Sequence, residues 1–317
     1  MKKLFLSVTA IIMVLVSAFS LVGCSVGSGA TNVSYEEFAN KYYKVAENAS
    51  YNFVYDNNKI VDVVGDFTNN VVENVKTESF TTLSFKETED GEYKSEKVRY
   101  MGQESSEEKN ISVKKIDGVI FVYITSDYVS STQYTNVEDN GLLKTENTDF
   151  NSKTTWYMGK NDNGYYIAKT VVTTEKKDGK ITIDEATKNY KYYENETAYN
   201  DEMQSFLRSL YYNVNDIFSI NSSNSINEIK KSGNKISYTI MQDNTGIDYN
   251  YNYLSAYIYN YEVEGDKKLS YKYEQIFMDE SSSANTVTVN TYNNGAKVSK
   301  LDSFDGYDQA ELSIDIF

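Results

Sequence analysis

The segment YNYNYLSAYIYNYEVEG, residues 249 to 265, carries six tyrosines and no proline. Read with a period of two, Tyr249, Tyr251 and Tyr253 point one way, and Asn250 and Asn252 point the other. Beyond Leu254 and Ser255, Tyr257, Tyr259, Tyr261 and Val263 share a face, with Ala256 and Ile258 opposite. The pair Gly265-Asp266 marks a turn, after which Tyr271, Tyr273, Gln275 and Phe277 form a matching ladder. Each aromatic cross-strand pair in such a hairpin contributes roughly 0.2–1 kcal/mol. Packing within a sheet explains the pattern, because tyrosine tolerates a half-buried ring with a wet hydroxyl. The functional alternative is a ligand-facing surface of Tyr257, Tyr259, Tyr261, Tyr271 and Tyr273, joined by Trp156 and Tyr166. Such a surface would stack on sugar rings or line an apolar channel.

The same alternation spreads upstream. Glu89-Asp90-Gly91, Asp117-Gly118, Asp139-Asn140-Gly141, Asn161-Asp162-Asn163-Gly164 and Asp178-Gly179 each separate segments of strand character. Turns at this density argue for an antiparallel meander rather than parallel strands with crossover helices. None has the spacing of an EF-hand loop, and no metal site is expected. Further strands are expected at 236–241 and 287–292.

Helical patterns flank this meander. Val33-Ser34-Tyr35-Glu36-Glu37-Phe38 reads as a capped start, with Ser34 as N-cap, Glu37 at N3 and Val33 stapled to Phe38. Phe38, Tyr42, Val45, Ala46 and Ala49 then recur on one face, predicting a helix to about Ala49. Between Tyr51 and Lys76 the signal is mixed: Tyr51, Phe53 and Tyr55 alternate, whereas Phe67, Val71, Val72 and Val75 fit a helical stripe. A polar run, 185 to 201, leads into a second helical pattern from Met203 through Ser219. Residues 222–231 read as a serine- and asparagine-rich loop, and a subdomain seam is placed near 219–234. The fold class expected is α+β: a large antiparallel sheet, half-barrel-like, packed with amphipathic helices in one domain over 33–317.

The amino terminus has another logic. Lys2 and Lys3 precede an apolar stretch from Leu4 to Phe19, the length and flanks of a secretory signal peptide. Leu21-Val22-Gly23-Cys24 resembles the lipobox of bacterial lipoproteins. That resemblance implies removal of residues 1–23, diacylglycerol on Cys24, a flexible tether over 24–32, and an address on the outer face of the cytoplasmic membrane. Two acyl chains suffice for stable anchoring where one does not. The order of elements also resembles the periplasmic lipoprotein carriers of the LolA/LolB type, which implies a sheet folded over helices around an apolar concavity for lipid handling.

Composition narrows the chemistry. The chain has net charge -15, and no basic run answers to nucleic-acid phosphates. Histidine is absent, so histidine triads, imidazole zinc sites and histidine pH switches are excluded. A single cysteine, once acylated, leaves no disulfide. Asp139, Glu146, Asp149, Asp184, Glu185, Glu274, Asp279 and Glu280 are available carboxylates, yet none sits in a site motif. Ser-x-x-Lys occurs as Ser106 with Lys109, Ser112 with Lys115 and Ser232 with Lys235, without the companion motifs of penicillin-binding enzymes. The expectation is a non-enzymatic envelope protein without cofactor, held to the membrane through Cys24 and binding an apolar or amphiphilic ligand. A wall- or carbohydrate-contacting module built on the tyrosines is the alternative, and a carboxylate-based hydrolase comes third.

Overall fold

The computed structural model describes residues 31–50, 53–56, 59–63, 65–87, 93–137, 143–205, 226–243, 254–277, 282–293 and 296–312. Helix α1 spans Tyr35–Ser50 and begins as its cap dictates. The Glu37 amide donates to Ser34 Oγ at 3.1 Å, and the Phe38 amide to the Ser34 carbonyl at 3.2 Å. Glu36 and Glu37 place negative charge in the first turn, where the helix dipole favours it. Phe38, Tyr42, Val45 and Ala46 line the buried face.

After a short hairpin of β2 (Phe53–Asp56) and β3 (Lys59–Val63), the chain enters a long meander. Its strands are β4 (Phe67–Glu87), β5 (Tyr93–Ile116), β6 (Val119–Val137), β7 (Leu143–Asn161), β8 (Gly164–Lys177) and β9 (Lys180–Tyr193). Asp117 and Gly118, with φ of 50° and 84°, close the Ile116–Val119 pair. Asp178 and Gly179, with φ of 47° and 76°, do the same for Lys177–Lys180. Positive φ at both central residues gives the turn whose twist matches antiparallel strands. The pair Asn161–Gly164 closes a third expected turn, and the pairs Glu87–Tyr93 and Val137–Leu143 bracket the remaining two, whose own residues lie outside the described set.

A second meander follows: β10 (Ile226–Ser232), β11 (Lys235–Asp243), β12 (Leu254–Glu264), β13 (Lys268–Phe277) and β14 (Ser282–Asn293). β14 returns to pair with β4 from Asn293–Phe67 to Ser282–Glu78, welding the two meanders into one thirteen-stranded sheet. Two-residue strands finish its margins: β1 (Thr31–Asn32) on β10, and β15 (Asp308–Gln309), the parallel exception, on β9. The architecture is α+β with a large antiparallel sheet, as the turn pattern implies.

Three expectations are corrected. The helical stripe of Phe67, Val71, Val72 and Val75 belongs to β4, because β5 and β14 offer hydrogen bonds on both sides of it. Residues 185–193 are the second half of β9, and 226–232 form β10 rather than a loop. Their polarity reflects positions near the sheet margins, where neither face is fully covered. The second helix, α2, occupies described residues 196–205. The apolar stripe from Phe206 to Ser219 lies outside the described residues, as does most of the expected seam. Residues 226–234 sit within the common sheet and its β10–β11 turn.

Register assigns the two main core clusters to one side of the sheet, while Phe121, Tyr166 and Ala168 are buried on the other. Beneath α1 lie Ile236, Tyr238, Ile240, Tyr261, Val263, Leu269, Val287 and Val289. Beneath α2, through Tyr199 and Met203, lie Phe67, Ile111, Val113, Val122, Ile124, Trp156, Met158 and Ile167. Val71 touches both clusters. Full burial of each aliphatic or aromatic side chain contributes about 1.5–3 kcal/mol. Among the described residues, the opposite side is covered at one end, by residues 296–312. Phe304 stacks on Tyr190 at 4.4 Å and meets Tyr166 and Tyr192 edge-on, while the Leu301 amide donates to Tyr166 Oη at 2.9 Å.

Candidate functional site

The aromatic residues singled out in the sequence are mostly structural. Trp156 is 2% exposed, with the Lys169 ammonium 4.6 Å above its ring. Tyr166 is fully buried beneath the carboxyl-terminal segment. Tyr261 is buried under α1, edge-on to Tyr42 at 6.0 Å and 5.2 Å from Tyr271. Tyr259 packs on Tyr273 at 4.9 Å, and both are half-buried, as is Tyr271. Burial pushes the Tyr271 phenol up, with Tyr261 and Tyr259 adding to the effect. The two expected ladders lie side by side, Tyr259 opposite Tyr273 and Tyr261 opposite Tyr271, and they face the helix. The side chain of Tyr257 lies outside the described residues, as do Cys24 and the whole of 1–30.

Among the described residues the catalytic candidates are spread over β5, β7, β9, β10, β11 and β13, while Asp139, Asp279 and Glu280 lie outside them. Glu146 pairs with Lys144 at 2.8 Å on an exposed stretch of β7, and Glu274 pairs with Lys272 at 3.0 Å. Asp184 and Glu185 are exposed on β9. Ser106 and Lys109, like Ser112 and Lys115, are three residues apart on β5 and so point to opposite faces. Among the described residues no group of three or more potential ligands is placed to hold a metal ion.

What the fold does build is a trough of about 750 Å³ on the side of the sheet away from both helices. Its walls come from seven strands, β13, β14 and β4 through β8. At the usual spacing of about 4.8 Å, those strands would spread roughly 29 Å if flat, so one concavity reaching all of them requires a curled sheet. Period two places Lys76, Glu104, Ser106, Val129, Asn151 and Thr174 on this inner surface. The walls present mostly carbon: the Val129 side chain, the Ala284 methyl, threonine methyls and lysine stems. Val129 is 43% exposed, and Val172 and Ile181 continue an apolar margin on the same face.

The charged groups of the trough are largely held by one another. Lys76 reaches Glu104 at 2.9 Å and Glu78 at 3.6 Å, and Lys272 is held by Glu274. The Glu104 and Glu78 carboxylates hold the Lys76 ammonium above the usual lysine range. Lys176 stands opposite Asp149 in the β7–β8 register. Sequence reasoning names Ser106, Asp149 and Glu274 only as catalytic candidates and has no signal for a trough, since serine, threonine, asparagine and lysine on alternate residues are what any solvated strand face carries. Only the curl makes them walls.

Fold and trough together define an α+β protein whose large antiparallel sheet, among the described residues, carries helices on one face and a concavity on the other. Comparisons with family models, with curated proteins and with solved structures find no match.

Proposed function

We propose that this chain is a lipid-anchored, extracytoplasmic, non-enzymatic protein that holds an amphiphilic ligand in the trough. The observation carrying this reading is the carbon-rich concavity of about 750 Å³ on the helix-free face, with Val129 exposed within it. Ligand sites combine apolar walls with a few polar groups, and this volume falls within their usual range of about 300–1,000 Å³. The membrane address rests on Lys2, Lys3, the apolar stretch and Cys24. β1, Thr31–Asn32, pairs with β10 at one margin of the sheet. No helix among the described residues is long and apolar enough to cross a membrane. Among the described residues the tyrosine ladder offers no exposed row for a glycan, since Tyr261 lies under α1 and Tyr259, Tyr271 and Tyr273 are half-buried.

Two measurements test the reading. Cells fed a clickable fatty acid should label the wild-type chain, and Cys24→Ser should abolish that label; persistent labelling would remove the anchor. In membrane vesicles holding the full chain, a photoreactive alkyl chain with a neutral glycol headgroup should cross-link to peptides covering 74–76, 104–106, 129–131 and 149–151. Val129→Glu puts a carboxylate on the trough surface, where an alkyl chain would desolvate it, and should cut that cross-linking about tenfold or more. Labelling spread evenly over the surface, indifferent to Val129→Glu, would reject the trough as a binding site.

A further inference from the structure

We propose that Tyr100 and Gly102 form a platform for a pyranose headgroup at the end of the trough, so that the ligand is a neutral glycolipid. This rests on the amphiphile-binding reading above and specifies the head of that amphiphile.

A second, smaller concavity of about 140 Å³ adjoins the trough and shares Lys76, Glu104 and Ser131 with it. Tyr100 and Gly102 are two residues apart on β5 and therefore face the same way. The phenol end of Tyr100 lies over Gly102 so closely that a Cβ there would stand 2.8 Å from Cζ and overlap the hydroxyl. Real Cβ atoms do not approach carbon so closely, so only glycine lets the ring lie down along the strand. Glu78 stands directly opposite Gly102 on β4, with its carboxylate beside the Tyr100 phenol, which burial and then that charge raise above its usual range.

The result is an aromatic ring laid over Gly102 and half-buried at the wall of a polar hollow. An aromatic face carries negative quadrupole density. The axial C–H groups of a pyranose are weakly positive and present a flat apolar patch of matching size. Around this platform stand hydroxyl-binding groups: Glu78 and Glu104 as acceptors, Lys76 as donor, and Ser131 and Gln133 as both. Two carboxylates against one ammonium leave the hollow net negative, which disfavours a phosphate or carboxylate head and suits a neutral sugar. Because the hollow shares Lys76, Glu104 and Ser131 with the carbon-walled trough, a sugar seated there would have the trough beside it for its aglycone.

The test uses the full chain in membrane vesicles and two photoreactive alkyl chains alike except for the head, one a glucoside and one a glycol. The glucoside should half-saturate trough labelling at a concentration about three- to tenfold lower, the range an aromatic contact supplies. Tyr100→Ala should erase that preference, as should Gly102→Ala, which displaces the ring without removing it. Tyr100→Phe should preserve it. Equal labelling by the two heads would overturn this inference while leaving the trough as an amphiphile site. Failure of both chains to label the trough would instead overturn the underlying reading. Methyl glucoside displacing the probe as well as an alkyl glucoside would assign the hollow to a free sugar and overturn the glycolipid claim. Equal losses in Tyr100→Phe and Tyr100→Ala would assign the effect to the hydroxyl and overturn the platform.

Discussion

Trp156→Ala is expected to destabilise the protein by about 3–5 kcal/mol, the usual result of deleting a buried aromatic side chain. That is a large part of the roughly 5–15 kcal/mol that separates folded from unfolded domains. Trp156 is 2% exposed and sits in the register row Ile111–Ile124–Trp156, where β5, β6 and β7 meet α2. Its loss opens a hole that Ile124 and Met158, each held in its own strand, cannot collapse to fill. Trp156→Phe keeps most of the volume and should cost much less. Because this is the only tryptophan in the chain, urea unfolding is best followed by far-ultraviolet circular dichroism. A Trp156→Ala protein as stable as wild type, but unable to capture an alkyl probe, would restore Trp156 to the ligand surface.

Raising the pH should unfold the protein cooperatively above about pH 10, where free tyrosine ionises. Burial raises the phenols of Tyr42, Tyr199, Tyr193 and Tyr271 above that value in the folded state. Neighbouring phenols add to the effect at Tyr42, Tyr199 and Tyr271, and the Glu202 and Glu311 carboxylates add to it at Tyr193. A group whose folded pKa exceeds its unfolded one lends its full stability below the unfolded value and loses it as pH rises through the folded value. These four phenols therefore pull the equilibrium toward the unfolded chain in alkali. Phenolate absorbance should show an early phase from exposed rings, then a step coinciding with loss of the sheet signal. Tyr42→Phe removes one titrating group from beneath α1 and should move that step to higher pH. Smooth ionisation of every tyrosine near pH 10 with the sheet intact would contradict the burial described for these rings.

Much of the sheet was legible because hairpins are local. Asp117-Gly118 and Asp178-Gly179 hold positive φ at adjacent residues, and that demand is written in the residue types themselves. The cap at Ser34 and the pairing of Tyr259 with Tyr273 were readable for the same reason. β4 was not, since Phe67, Val71, Val72 and Val75 satisfy a helical stripe until β5 and β14 supply hydrogen bonds on both flanks. The middle of β5, Gly102 to Asn110, has no alternation at all and is extended because β4 and β6 hold it there. The candidate site was less legible still. Trp156 and Tyr166 carry the large aromatic surface that recognition uses, but cores use the same surface.

From residues near one another along the chain, the sequence alone determined the hairpins, the first helix, the antiparallel class and the lipobox signature that motivates a membrane address. Tertiary structure decided which side of the ladder α1 covers, how β14 closes onto β4, and that the opposite side curls into a trough. The reason is range. Turn chemistry and side-chain alternation act over a few residues, whereas the curvature that turns Lys76, Val129 and Thr174 into facing walls is summed over seven strands and belongs to none of them.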